Sequence, residues 1–131
     1  MSMKSFYAQN AKSVEPESVV VSERFCDEEG NPEKWIISAI SAKVEDELVK
    51  KATNKKGIRD EMKFVSMMAA KSVQYPDLND AELQQTYGVN TPDELMLTML
   101  TGGERAVLYQ AVTRINGYDK SVDELIDEAK N

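Results

Sequence analysis

Histidine is absent from this 131-residue chain, and cysteine and tryptophan occur once each, as Cys26 and Trp35. The missing imidazole removes the side chain that most often moves protons near neutral pH, and with it Ser-His and Cys-His nucleophile schemes. A lone thiol closes no internal disulfide, and with no cysteine or histidine beside it there is nothing from which to build a zinc site. Carboxylate neighbours such as Asp93 with Glu94 and Asp127 with Glu128 are present. Catalytic carboxylates, however, need surroundings that push their pKa values apart, and these pairs read as solvated. A calcium loop fails on spacing: with Gly30 at its sixth position, Phe25 would stand first, where an oxygen ligand is required. Thr101-Gly102-Gly103-Glu104 lacks the glycine spacing and the lysine of a phosphate-binding loop and reads as a turn between helices. The expectation is a protein with no cofactor and no metal that is not an enzyme.

Long apolar runs are lacking too. No stretch approaches the roughly 18 uncharged residues of a membrane span, and residues 1–14 are scattered with polar side chains where a signal peptide needs an apolar run. The sequence therefore predicts a cytoplasmic chain that does not enter membranes. Positive charge is scarce: 16 Lys and Arg against 23 Asp and Glu leave a net charge of −7. Nucleic-acid affinity rests mainly on cations displacing counterions from phosphates, so DNA and RNA are poor partners. The basic group Lys50, Lys51, Lys55, Lys56, Arg59 and Lys63 reads as a solvated helix end and loop.

What is present, 41% hydrophobic and 30% charged residues, is the composition of an ordinary globular protein. The length suits one domain over 1–131. Residues 1–18 have no periodicity and read as a loosely ordered arm. Residues 19–41 read as a β-hairpin: Val19 to Phe25 and Trp35 to Ile40 are rich in β-branched and aromatic residues and flank the turn formers Asp27 to Pro32. A two-stranded hairpin is marginal alone, so Trp35 and its strand neighbours are expected to face the helices.

Everything from 42 to 131 reads as helix, at about 42–54, 60–74, 80–87, 92–100, 103–116 and 122–130. Acidic residues gather in first turns, where free amides and the macrodipole favour negative charge. Thr91-Pro92-Asp93-Glu94 combines an N-cap, a proline at the first helical position and a capping-box glutamate, and Ser121-Val122-Asp123-Glu124 repeats it without the proline. Asn79 to Glu82 and Thr101 to Glu104 are fainter versions. Val107, Leu108, Ala111, Val112 and Ile115 make one apolar stripe, ended by Asn116-Gly117; Val65, Met68, Ala69, Ser72 and Val73 make another, ended by Tyr75-Pro76. The predicted fold class is α+β, predominantly α, with an N-terminal antiparallel hairpin on five to six short helices.

Five of the seven methionines fall in two predicted helices, as Met62, Met67 and Met68 and as Met96 and Met99. Thioethers fill core gaps, and they also serve surfaces that accept varied apolar partners. Leu95, Met96, Met99 and Leu100 form one stripe while Leu97 points elsewhere, so helix 92–100 has more apolar surface than one core contact consumes. These four are the candidate protein-binding residues, with part of the stripe expected to stay accessible. A rival motif is helix-turn-helix, from Leu83 to Tyr87, Gly88-Val89 and the helix after Thr91. Residues 72–103 carry no Lys or Arg, so the reading helix would meet DNA with Asp93 and Glu94 first.

Three stretches resemble a known family: Ser22 to Phe25 through Glu28-Glu29-Gly30-Asn31-Pro32 to Trp35-Ile36-Ile37; Tyr75 to Gln84 with Tyr87-Gly88-Val89; and Ile115-Asn116-Gly117-Tyr118-Asp119. The chain is similar in these to the XkdN-like tail assembly chaperones of long-tailed phages and prophages, of the Bacillus prophage type. The resemblance implies a small cytoplasmic factor, absent from the finished virion. Such a factor keeps the long, hydrophobic tape measure protein soluble while tail tube subunits polymerise around it. Related phages often make a second, C-terminally extended form by frameshifting, and by this resemblance the chain looks like the short form or the product of a gene without that extension. The resemblance supplies no catalytic residues. A homo-oligomer stays open, as does the alternative of a small acidic adaptor or regulatory domain with a degenerate helix-turn-helix.

Overall fold

The computed structural model describes residues 2–118. Along them come a 3-10 turn at Met3–Phe6, strands β1 (Glu17–Val19) and β2 (Trp35–Ile37), helices α1 (Ala42–Ala52) and α2 (Glu61–Ser72), and strand β3 (Val73–Tyr75). Helices α3 (Ala81–Thr86), α4 (Pro92–Met99) and α5 (Gly102–Ile115) follow. The class is α+β and mainly helical, as the sequence predicts. The helix expected at 122–130 lies outside the described residues. Among the described residues, no helix is long and apolar enough to cross a membrane.

The sheet differs from the expected hairpin in two ways. It has three strands, in the order β1-β2-β3 with both pairings antiparallel, so the Trp35 strand is central. Its first partner is also shifted toward the N-terminus: Glu17 lies opposite Ile37 and Val19 opposite Trp35. Glu17 and Ser18, expected in the arm, are therefore strand, and only residues 2–16 are exposed throughout. The stretch Val20 to Phe25 instead leaves the sheet and turns inward, burying Val21 and Ser22. The turn formers then close a loop of their own, bridged between Cys26 and Pro32. Its Asp27 carboxylate accepts from the amides of Glu29 and Asn31, both at 2.9 Å. Gly30 sits there at φ 86°, a conformation open to glycine and costly for most other residues. The third strand arises because α2 stops at Ser72 and Val73–Tyr75 extends alongside β2.

Strand β2 alternates as a half-buried strand should, with Trp35 and Ile37 facing inward and Ile36 outward. Trp35, Ile37, Leu78, Leu95, Met96 and Leu108 are the large side chains most fully buried. The two predicted helix stripes form the core with one exception each. Met68, Ala69, Ser72 and Val73 are buried and Val65 is not; Leu108, Ala111 and Val112 are buried, Ile115 packs against them, and Val107 is exposed.

Helix ends follow sequence chemistry. Ser41, Asp60, Asp80, Thr91 and Thr101 each accept an amide hydrogen bond from the first turn of the helix that follows. The reciprocal capping box is complete at Thr101 and Glu104, where the sequence signature looked fainter: Thr101 N–H donates to Glu104 Oε1 at 2.8 Å. Helix α5 ends at Gly117, φ 83°, with Tyr118 N–H reaching Thr113 O at 2.9 Å and Gly117 N–H reaching Arg114 O at 3.1 Å. The capping Asn116 joins three segments. Its side chain accepts from Ile40 N–H at 2.9 Å and donates to Ser72 Oγ at 3.1 Å and to Val112 O at 2.9 Å.

Candidate functional site

Among the described residues, no group of three or more acidic or cysteine side chains is placed to hold a metal ion. The most perturbed carboxyl is that of Glu104, and its neighbours explain it structurally. Arg24 donates from Nε to Glu104 Oε2 at 3.0 Å and from Nη2 to Glu104 Oε1, and also reaches Met99 O at 2.8 Å. Ser22 Oγ donates to the same carboxylate. The Arg24 guanidinium, followed by the Ser22 hydroxyl and the Thr101 amide, holds Glu104 well below the usual carboxylate range. Perturbed groups mark catalysis only when a reacting atom can reach them; this one pins the loop after β1 to the start of α5.

That pairing has a pH signature. A carboxyl whose pKa is lower in the fold contributes stability that is complete above its unfolded value, about 4.3, and lost as acid protonates it. Glu104→Gln is therefore expected to be less stable than the natural chain at neutral pH, with the gap narrowing as the pH falls below about 4. Urea titrations at several pH values measure this, and a gap that does not change with pH would contradict the role given to Glu104.

The candidate binding stripe does not lie on the surface. Leu95, Met96, Met99 and Leu100 are all buried, which corrects the expectation that part of it stays accessible. The reason is that α4 packs against α2 while the chain after it turns directly into α5, so its apolar side is fully used. The same burial occupies the face of the helix-turn-helix reading helix that follows its acidic first turn. Four of the five clustered methionines, Met67, Met68, Met96 and Met99, belong to the core or pack against it. Met62 is the exception, 78% exposed.

Met62 lines an apolar hollow. This hollow, of about 500 Å³, opens where the first half of α2 meets α4 and the start of α5. Its apolar wall is Met62, Val65, Leu97 and Tyr109, and its rim carries Glu61, Lys63, Asp93 and Arg105. Leu97, the residue off the α4 stripe, is 40% exposed here, and Val65 is the member of the α2 stripe that the core leaves uncovered. The Arg105 guanidinium sits 5.9 Å from the Tyr109 ring, and burial pushes the Tyr109 phenol up while Arg105 pulls it down.

A second hollow of about 330 Å³ continues the first, sharing Val65 and Tyr109 and adding Phe64, Met68, Val112 and Tyr118. Tyr118 O–H donates to Glu45 Oε1 at 2.7 Å, and the Arg59 guanidinium lies 5.0 Å from the Phe64 ring. Together the two make an apolar furrow along the seam of α2 and α5, from Leu97 at one end to Tyr118 at the other. A third hollow, between α1 and α2, is mixed in character, lined among others by Glu47, Lys51, Lys71 and Asn79. Of the furrow residues, sequence reasoning had pointed to Met62 and Met68 among the clustered methionines and had set Leu97 off the α4 stripe.

A family model described as the phage XkdN-like tail assembly chaperone protein matches residues 3–130. Among curated proteins, the chain is 33% identical to the uncharacterized protein YqbN of Bacillus subtilis (strain 168), over 92% of this chain and 88% of the relative. It is 32% identical to the phage-like element PBSX protein XkdN of the same strain, over the same shares. The crystal structure of the protein YqbN matches with a TM-score of 0.83 at 31% identity, covering 91% of this chain and 98% of that one.

Proposed function

The chain belongs to the XkdN-like family of phage tail assembly chaperones, and from that membership we propose that its client is the tape measure protein, held through the furrow between α2, α4 and α5. The observation that carries this reading is the furrow itself. It is an open, apolar seam between these helices, and among the described residues no group of acidic or cysteine side chains is placed to hold a metal ion. A helix-in-groove contact seats side chains spaced by three and four residues on an apolar floor, and a long, hydrophobic, helix-rich client presents such stripes repeatedly. Side chains that can repack suit a client of varied sequence, and Met62 at the mouth is one. The binding is non-covalent and needs no cofactor. It belongs to the cytoplasm of the host during assembly, before the virion is complete.

The test is co-expression with the product of the reading frame immediately downstream, which this reading expects to be a very long, helix-rich tape measure protein. The tape measure protein is expected in the soluble fraction, bound to this chain, and in the insoluble fraction without it. A downstream frame of metabolic or regulatory type, or a tape measure protein equally soluble alone, would favour the adaptor reading instead.

A further inference from the structure

We infer that the N-terminal arm of one copy of this chain docks in the furrow of a second copy, so that two chains exchange arms into a dimer. The bearing of the dimer on the client rests on the function proposed above; the exchange itself does not. Residues 2–16 are exposed throughout, yet the first part of this arm has a built structure. Met3–Phe6 is a 3-10 turn in which Lys4 N–H donates to Ser2 Oγ at 3.2 Å. Asn10 Nδ2 donates to Lys4 O at 2.8 Å, and the amides of Asn10 and Ala11 donate to Tyr7 O at 2.9 and 3.0 Å. Side chains three residues apart eclipse in such a turn, so Met3 and Phe6 stand on one side of it, with Tyr7 following. All three are exposed, Phe6 by 78% and Met3 by 69%. A cluster of large apolar side chains that its own fold leaves uncovered marks a contact surface. Because the turn is already held by its own hydrogen bonds, little freedom is lost when it docks.

Direction, charge and area assign this arm to another copy. The arm leaves the body through β1, which packs against α5 and is tied to it by Arg114 and Glu17 at 2.8 Å. Arg114 lies about 140–160° round α5 from the furrow residues Tyr109 and Val112, so the arm departs from the side of the helix away from its own furrow. Residues 8–16 reach up to about 30 Å when extended, enough to cross onto a neighbouring molecule. Residues 2–14 carry Lys4 and Lys12 and no acid, so all 23 acidic residues lie beyond them, Glu61 and Asp93 on the furrow rim included. A basic arm is thereby drawn to the acidic body of a second copy. Met3, Phe6 and Tyr7 together leave roughly 400 Å² open on each arm, given the 150–250 Å² that an aromatic side chain can bury. Two arms and the furrow walls they cover come to roughly 1,500 Å², within the range of about 1,200–2,000 Å² for stable interfaces, and a single arm gives about half of that. Reciprocal exchange is therefore the form that holds.

The exchange is tested on the full chain with a reductant present, because Cys26 is exposed. Sedimentation equilibrium over a range of protein concentrations is expected to show monomer and dimer in balance. Phe6→Asp/Tyr7→Asp is expected to weaken the dimer about tenfold or more, and Met62→Asp/Leu97→Asp likewise. Both variants are expected to stay folded by circular dichroism, since all four positions are exposed. A natural chain that is monomeric at every concentration, or a dimer that either variant leaves intact, would overturn the exchange. The contact itself is read by placing benzoylphenylalanine at position 6 and irradiating an equal mixture with an affinity-tagged copy that lacks the cross-linker. Adducts between the two copies at Met62, Val65 or Leu97 are expected. Adducts within one chain would put the arm in its own furrow, adducts elsewhere would put it on another surface, and either result would overturn the proposal. A dimer so joined has its furrows filled, so Phe6→Asp/Tyr7→Asp is further expected to retain several-fold more co-expressed client. Unaltered retention would overturn that competition and leave the exchange standing, while full retention by Met62→Asp/Leu97→Asp would instead remove the furrow from the client contact.

Discussion

Replacing Trp35 by alanine is expected to lower the unfolding free energy by about 3–5 kcal/mol, the range for deleting a large aromatic from a packed core. Trp35 is among the most fully buried large side chains, on the central strand of the sheet, and β2 lies against α5. No small rearrangement refills the space, because Val19 and the α5 residues beside it are fixed by the sheet register and by the Asn116 junction. Total stabilities of small domains run only to about 5–15 kcal/mol, so the loss takes a large share of it. Thermal unfolding followed by circular dichroism should show the midpoint falling by roughly ten degrees or more. Trp35→Phe, which keeps most of the volume, should fall much less. A midpoint for Trp35→Ala within two degrees of the natural chain would place the indole outside the core.

The second large effect concerns binding. Met62→Asp/Leu97→Asp puts two carboxylates on the wall of the furrow, where Met62 and Leu97 both reach solvent. Each change removes an apolar side chain whose burial by a client is worth about 1.5–3 kcal/mol. One such loss weakens association about tenfold or more, and two together at least about a hundredfold. Surface positions lose little stability on such changes, typically about 0.5 kcal/mol. The double variant is therefore expected to remain folded, by circular dichroism, and to lose the co-expressed tape measure protein from affinity pull-downs. A folded double variant with undiminished client would remove the furrow from the contact.

How much of this was legible in the sequence depended on whether the cause was local. The five helices were readable because their caps and stripes are contained within a few residues of each start, as at Thr91-Pro92 and Thr101 to Glu104. The third strand was not. Val73-Gln74-Tyr75 is three residues long, too short for an alternation, and Val73 extends the α2 stripe; only its pairing with Ile36 and Ile37 makes it a strand. The β1 register likewise depends on where Trp35 lies, so the Val19 to Phe25 run misled as to which residues pair. The capping box at Glu104 was readable, whereas its partner Arg24, 80 residues away, was not.

The candidate surface illustrates the same division. Periodicity correctly grouped Leu95, Met96, Met99 and Leu100 on one side of α4, but it cannot say whether a stripe meets solvent or another helix. The crossing of α2, α4 and α5 decided that, burying the stripe and leaving its off-phase neighbour Leu97 at the furrow. A signal was available in the sequence: an apolar residue opposite a complete stripe has no core to enter, and Leu97 was such a residue. Val65 carried no comparable sign, since it belongs to a stripe whose other members are all buried.

The central claim, that the furrow is where the client sits, is tested most directly by photo-cross-linking from two positions of equal accessibility. Leu97 lies in the furrow and Val107 outside it, and they are 40% and 41% exposed. Each is replaced in turn by benzoylphenylalanine, the chain is co-expressed with the tape measure protein, and the irradiated complex is analysed for covalent adducts. Strong adducts from position 97 with little or none from position 107 are the expected result. Equal yields from both positions, or adducts from 107 alone, would contradict the assignment of the furrow as the client-binding surface.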